Sequence, residues 1–240
     1  MLVIPAIDLK EGKCVRLREG KMEEETIFSD DPLSTAASWF SQGAELLHIV
    51  DLDGAVSGKP MNQEIIFDIA SQFPENRIQV GGGIRNFQSA AQYLEQGIER
   101  IIMGTAAVED PEMLREFCNS YPNRLVLGID ALHGQVKTQG WLKGSSVTPL
   151  ELVKDFDGEP IAAVIFTDIS KDGMMSGPNV NATLELAKQT DIPVIASGGV
   201  SSLEHLKQLS NENILFGAIC GRALYESAFT YSEALEVVGR

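Results

Sequence analysis

Two stretches, Val80-Gly81-Gly82-Gly83 and Ala196-Ser197-Gly198-Gly199, decide the fold. Each closes a short run that reads as a strand, R-I-Q before the first and I-P-V-I before the second. Glycine weakens a strand interior, but at a strand tip it lets backbone amides approach a neighbour closely. Working outward, each stretch belongs to a longer pattern that occurs twice in the same order. Ile7-Asp8 with Gly12 matches Ile129-Asp130 with Gly134, and V-D-L-D-G-A-V-S-G-K-P from Val50 matches T-D-I-S-K-D-G-M-M-S-G-P-N from Thr167. M-G-T-A-A-V from Met103 matches C-G-R-A-L-Y from Cys220. The offset is about 120 residues, a period suited to half a barrel and not to a solenoid repeat.

Apolar, β-branched runs recur at Val3–Ile7, Leu46–Val50, Ile78–Val80, Arg100–Met103, Leu125–Ile129, Ala162–Phe166, Pro193–Ala196 and Ile214–Ile219. Helical patterns are expected at 33–42, 62–72, 87–96, 111–119, 148–155, 181–189, 202–209 and near 232–238. D-D-P before Leu33, D-P before Glu112 and N-V-N before Ala182 read as helix starts. Gly43 and Gly97 read as stops. Strands alternating with helices imply a parallel sheet. Near-continuous apolar runs imply strands covered on both faces. Eight such units in 240 residues fit a (β/α)8 TIM barrel of two half-barrels, about 1–120 and 121–240, with the whole 1–240 chain as a single domain. A doubly wound open sheet is the competitor; no G-x-G-x-x-G follows the first strand, which disfavours its dinucleotide-binding form.

The formal charge of −15 argues against nucleic acid or an anionic membrane surface as the main partner. No apolar stretch is long enough to cross a bilayer, and M-L-V-I-P-A-I-D-L reads as a first strand and not a signal peptide. Cys14, Cys118 and Cys220 are dispersed, as expected of a reducing cytoplasm. His48, His133 and His205 have no metal-ligand spacing, so no metal site is expected. His48, in L-L-H-I-V, reads as a strand residue with a satisfied ring.

The glycines suggest anion sites. Gly82 and Gly83 tip the third expected strand and Gly198 and Gly199 the seventh; Gly104 with Thr105 follows the fourth, and Gly221 with Arg222 the eighth. R-A-L-Y-E after Gly221 resembles the short extra helix that completes phosphate sites in such barrels. Two phosphate sites at opposite rims follow, for a ligand that reaches both. Backbone amides would hold phosphate in a strongly acidic protein. Arg16, Arg18, Arg85 and Arg222 lie near the same rim; each is also an ordinary surface residue type. Asp8 and Asp130 follow opposite strands and form a candidate base and acid pair, provided their surroundings push the two pKa values apart. Asp51, Asp53, Thr167, Asp168 and Asp172 are further polar candidates, and Asp53 and Asp168 serve equally as caps. The K-E-G-K-C stretch after Asp8 reads as a turn. Trp141, in a long loop, is either a stacking residue or a buried anchor.

The motifs I-P-A-I-D-L-K-E-G-K-C-V-R-L, H-I-V-D-L-D-G-A, V-G-G-G-I-R, G-T-A-A-V, G-I-D-A, F-T-D-I-S-K-D-G-M-M-S-G-P-N, I-A-S-G-G-V and G-R-A-L-Y-E, from about Leu2 to Glu226, resemble the phosphoribosylformimino-aminoimidazole carboxamide ribotide (ProFAR) isomerases of histidine biosynthesis. The resemblance implies a twofold-repeated barrel acting on a small-molecule bisphosphate. The implied reaction is an Amadori rearrangement, aminoaldose to aminoketose, with no cofactor. It implies Asp8 as base, Asp130 or Asp172 as acid, Thr167 in support and Trp141 stacking on substrate. Gly177 falls within the matched motif and is carried with the binding glycines. The sister cyclase barrel is the nearest rival; it usually carries Cys-Leu where this chain has Ala6-Ile7. A dual-substrate isomerase and a non-catalytic bisphosphate-binding barrel are further alternatives. A monomer is expected, because an internally doubled barrel already holds its twofold within one chain.

Overall fold

The computed structural model describes residues 1–18 and 21–240, with backbone alone for 17, 18 and 21–24; the Arg18 side chain lies outside the described residues. The strands are β1 (Leu2–Lys10), β2 (Lys13–Arg18), β3 (Lys21–Ser29), β4 (Leu46–Asp51), β5 (Arg77–Gly81), β6 (Arg100–Met103), β7 (Leu125–Leu132), β8 (Gln135–Thr138), β9 (Lys143–Gly144), β10 (Ala163–Asp168), β11 (Val194–Ser197) and β12 (Gly217–Cys220). Eight of them, β1, β4, β5, β6, β7, β10, β11 and β12, pair in parallel in that order, and β12 returns to β1. The barrel is closed, so its sheet has no free edge.

Two separate apolar clusters explain why the barrel strands read as unbroken apolar runs. Alternate residues such as Leu2, Ile4, Ala6, Val126, Ile165 and Ile195 fill the barrel interior. Their neighbours, such as Val3, Ile7, Leu47, Ile49, Leu127 and Val164, pack against the surrounding helices. Each strand therefore feeds a core on both faces. The helix starts expected from sequence form as side-chain caps: Asp31, Asp110 and Asn179 accept from Ser34, Met113 and Ala182 amides. Gly43 and Gly97 take left-handed φ values of 92° and 89° just past the helix ends Gln42 and Gln96.

Three features differ from the sequence reading. K-E-G-K-C holds the turn expected after Asp8, but the turn closes an antiparallel hairpin of β1 with β2 that was not expected, with Glu11 and Gly12 at φ 49° and 77°. The second half repeats this at β7–β8, with His133 and Gly134 at 53° and 78°. An X-Gly pair with both residues left-handed matches the twist of a two-residue hairpin. The last barrel strand is shorter than expected, Gly217–Cys220 in place of Ile214–Ile219, and its pairing opens at Phe216, whose amide donates to Val194 and whose carbonyl accepts from Leu2. Short helices at Leu52–Ser57 and Thr105–Glu109, not anticipated, follow β4 and β6.

Candidate active site

The C-terminal ends of the barrel strands surround one cleft of about 850 Å3. Asp8, Arg16, Gly82, Gly83, Arg85, Gly104, Thr105, Asp130, Trp141, Thr167, Asp172, Gly198, Gly199, Gly221 and Arg222 all line it. Gly177 does not. It lies behind the second glycine pair, where its amide donates to the Gly199 carbonyl at 3.1 Å and a side chain would strike His205.

The strand registers set the stage. Asp8 pairs with Val50, and Val50 with Gly81; across the barrel Asp130 pairs with Thr167, and Thr167 with Ser197. The carboxylates and the glycine tips thus stand at one level on opposite walls. Gly82 and Gly83 have φ of 98° and 76°, and Gly198 and Gly199 have 87° and 83°. All four conformations favour glycine and turn backbone amides out of the ladder. Gly104 and Gly221 begin helices Thr105–Glu109 and Arg222–Tyr225, and neither helix has a side-chain cap. Their first amides are therefore left to a ligand or solvent.

The expected arginines are already engaged. Arg85 donates to the Ala55 carbonyl at 2.9 Å, tying the loop after β5 to the one after β4, and Arg222 donates to the Gly173 carbonyl at 2.8 Å, tying the loop after β12 to the one after β10. Arg16 spans two carboxylates, 2.6 Å from Asp8 Oδ2 and 2.5 Å from Asp172 Oδ1. It also faces Gly221, where a Cβ would stand 3.3 Å from its Nη1. Burial works against the Arg16 charge, yet Asp172 and Asp8 together raise its pKa, so it stays a cation. Burial also raises Asp8, opposed by the attraction of Arg16. Asp130 is raised by burial too, against hydrogen bonds from Trp141 and Thr167; the Trp141 Nε1 donor lies 2.8 Å from Asp130 Oδ2. Trp141 ends a run of three left-handed residues, Gln139, Gly140 and Trp141, between β8 and β9. Strain of this kind collects at ligand-binding sites.

Other candidates fall away from the cleft. Asp51 is fully buried and accepts from the Gly54, Met61 and Asn62 amides and from Asn62 Nδ2. Asp53 accepts from the Glu11 amide and Asp168 from Ser170 and Asn179. All three hold loops. Cys14, Cys118 and Cys220 are buried free thiols; burial pushes them up to about 11, 12 and 12, which leaves them unreactive. Among the described residues no group of three or more His, Cys, Asp or Glu could hold a metal ion. Sequence reading gave His48 no part in the site, yet it lines the cleft floor, with Nδ1 3.1 Å from Gln79 Nε2.

Comparison with known proteins agrees with this geometry. The family described as histidine biosynthesis protein matches residues 2–230. A protein of Hahella chejuensis is 48% identical over 98% of this chain and 97% of its own length. Its counterparts in Alkalilimnicola ehrlichii and Geotalea daltonii are each 50% identical, over 98% and 100% of this chain and 95% and 98% of theirs. All three carry the name 1-(5-phosphoribosyl)-5-((5-phosphoribosylamino)methylideneamino) imidazole-4-carboxamide isomerase. With the match covering nearly its whole length, the chain belongs to the histidine biosynthesis protein family.

Proposed function

We propose that this chain is the isomerase its relatives are named for, converting the aminoaldose ProFAR to the aminoketose PRFAR by an Amadori rearrangement in L-histidine biosynthesis. One observation carries the reading: two glycine clusters at opposite rims of a single cleft, with Asp8 and Asp130 on the walls between them. A ligand with a phosphate at each end, anchored at Gly82, Gly83 and Gly104 and at Gly198, Gly199 and Gly221, lays its sugar across the carboxylates. Remote phosphate contacts then hold the reacting carbons in place.

An acid gives a proton to the ribose ring oxygen as the C1–O bond breaks, leaving an iminium at C1. Asp8 takes the proton from C2, forming an enolamine. Its C2 hydroxyl then becomes the ketone as C1 gains a proton. Burial raises both Asp8 and Asp130, but only Asp8 has the Arg16 cation beside it to favour the ionised form, so Asp130 suits the acid role. Asp172 competes on a specific observation. Arg16 bridges it to Asp8 and also borders the Gly221 pocket, so a phosphate that attracts Arg16 would free both carboxylates. Trp141 stacks on the imidazole ring in this reading. The chain works as a monomer in the cytoplasm on a small-molecule bisphosphate, with no nucleic acid or membrane partner. Among the described residues no helix is long and apolar enough to cross a membrane.

The deciding assay is turnover of the aminoaldose by wild type and Asp8→Asn, without metal or ammonia. Isomerisation lost in the variant supports the assignment. Consumption of the ketose only when ammonia is supplied would instead identify a cyclase. Single-turnover pH profiles of Asp130→Asn and Asp172→Asn separate the acids, because only the true acid's variant loses the alkaline limb.

A further inference from the structure

We infer that Gln79 and Arg100 hold His48 as a fixed Nε2–H hydrogen-bond donor at the floor of the cleft, aimed at the sugar oxygen on C2; the substrate part of this inference rests on the isomerase reading. The three residues sit side by side on neighbouring strands. His48 pairs with Gln79, and Gln79 with Arg100. Each is two residues from an interior position, Leu46, Gly81 and Ile102, so all three point into the barrel. His48 alone of the three reaches the cleft; Gln79 is fully buried beneath it.

The amide orientation follows from charge. Gln79 Nε2 lies 3.1 Å from His48 Nδ1, while Gln79 Oε1 and Arg100 Nη1 are buried with no hydrogen-bond partner in the protein. Arg100 is the β6 residue paired with Gln79, and its guanidinium stacks 5.1 Å over the Phe216 ring and meets Glu99 at 3.3 Å, leaving Nη1 as the donor without a partner. A guanidinium attracts the amide oxygen and repels the amide NH2. Gln79 therefore turns Oε1 toward Arg100 and donates Nε2–H to His48 Nδ1. A ring that accepts at Nδ1 carries its proton at Nε2. Desolvation, aided by the Arg16 charge, lowers the His48 pKa to about 3, so the ring stays neutral. The titratable groups that line the cleft with it are Asp8 on β1, Arg16 on β2, Arg85 after β5, Asp130 on β7, Lys137 on β8, Asp172 after β10 and Arg222 after β12.

A neutral imidazole cannot act as a strong acid here, but it can polarise an oxygen that gains negative charge. Ala6 pairs with His48, which places the ring one interior layer below Asp8 on the adjacent strand. Base and donor thus stand together, one at the C2 proton and the other at the C2 oxygen. Gln79 and Arg100 are positioning residues that never meet substrate.

The first test needs no substrate: 15N NMR of histidine-labelled wild type from pH 5 to 9. The expected signature is one neutral Nε2–H ring throughout. A neutral Nδ1–H ring, or an imidazolium at pH 7, would overturn the relay. Gln79→Glu should convert the ring to an Nδ1–H or imidazolium form, and Arg100→Met should give mixed tautomers; unchanged spectra in both would also overturn it. His48→Leu should lower kcat roughly 100-fold with little change in KM, the usual scale for one such donor. An unchanged kcat would overturn the catalytic part. A wild type that never turns over the aminoaldose, yet shows the Nε2–H signature, would sink the isomerase reading and leave the relay standing.

Discussion

The two half-barrels share a scaffold and differ where they touch the reaction. In the first half Asp51 holds Asn62 at 2.7 Å; in the second Asp168 holds Asn179 at the same distance, at the same eleven-residue spacing. Both halves fold β1 and β7 back through X-Gly hairpins in the same register, Asp8 opposite Val15 and Asp130 opposite Lys137. The rims are not equally tight. A Cβ on Gly82 would stand 2.1 Å from the Asp51 carbonyl oxygen; one on Gly198 would stand 3.2 Å from that of Asp168. A Cβ on Gly104 would meet the Gly128 carbonyl at 2.6 Å, whereas the nearest atom to one on Gly221 would be Nη1 of the Arg16 side chain at 3.3 Å. At Gly83 and Gly199 the two rims are alike, with backbone carbonyls 2.7 and 2.6 Å from a Cβ. At Gly198 and Gly221 the second half is the roomier one, and there it borders the arginine that spans Asp8 and Asp172. The two halves keep one frame, and the arginine that joins Asp8 to Asp172 comes from the first half alone.

The largest expected contrast is catalytic. Asp8→Asn should lower kcat by roughly 1,000-fold or more, as loss of a general base does. Asp130→Asn should also lose activity, yet it should be more stable than wild type. Burial raises the folded pKa of Asp130, so its contribution to stability is present below the unfolded value and lost as pH rises through the folded one. At neutral pH the Asn isostere relieves that cost, and the melting temperature should rise by about 2–4 °C. A variant that melts lower would show that the Trp141 hydrogen bond outweighs desolvation.

Next comes the rigidity of the two rims. Gly82→Ala should destabilise the fold by about 3 kcal/mol or more, since both its backbone conformation and the Asp51 carbonyl forbid a side chain. Gly198→Ala should cost roughly 1–2 kcal/mol. Urea midpoints would measure both, and equal losses would erase the distinction between the rims. Trp141→Phe keeps the ring but removes the Nε1 donor from Asp130, so the Asp130 limb of the pH–rate profile should move up and kcat fall by about tenfold. The smallest effect is in acid stability. His48 refuses in the fold a proton that the unfolded chain accepts near 6.5, so stability present above that pH should fall between 6.5 and about 3. His48→Gln, melted across that window, should show a shallower decline.

The barrel was legible because its strands feed two cores, which turns alternation into eight apolar runs that composition alone reveals. The hairpin strand K-M-E-E-E-T-I-F-S was not, since its charges hide the strand period; the Glu11-Gly12 pair was the one local sign. The carboxylates and glycines could be read from the repeat. The ion bridge through Arg16 could not, because it joins residues 156 positions apart, and no period links them. His48 was obscured by its own neighbours: L-L-H-I-V gives no hint of which face of β4 opens on the cleft.

Under the proposed function, phosphate is held by backbone amides and not by lysines, and that has a kinetic consequence. With a formal charge of −15, the approaching bisphosphate meets repulsion at long range and attraction only on arrival. Arg16, neutralised by its two carboxylates, does little to guide it in. Capture should therefore quicken as ionic strength rises and the Debye length shrinks. The usual rule for phosphate-binding proteins, in which salt slows association, would be inverted in this one.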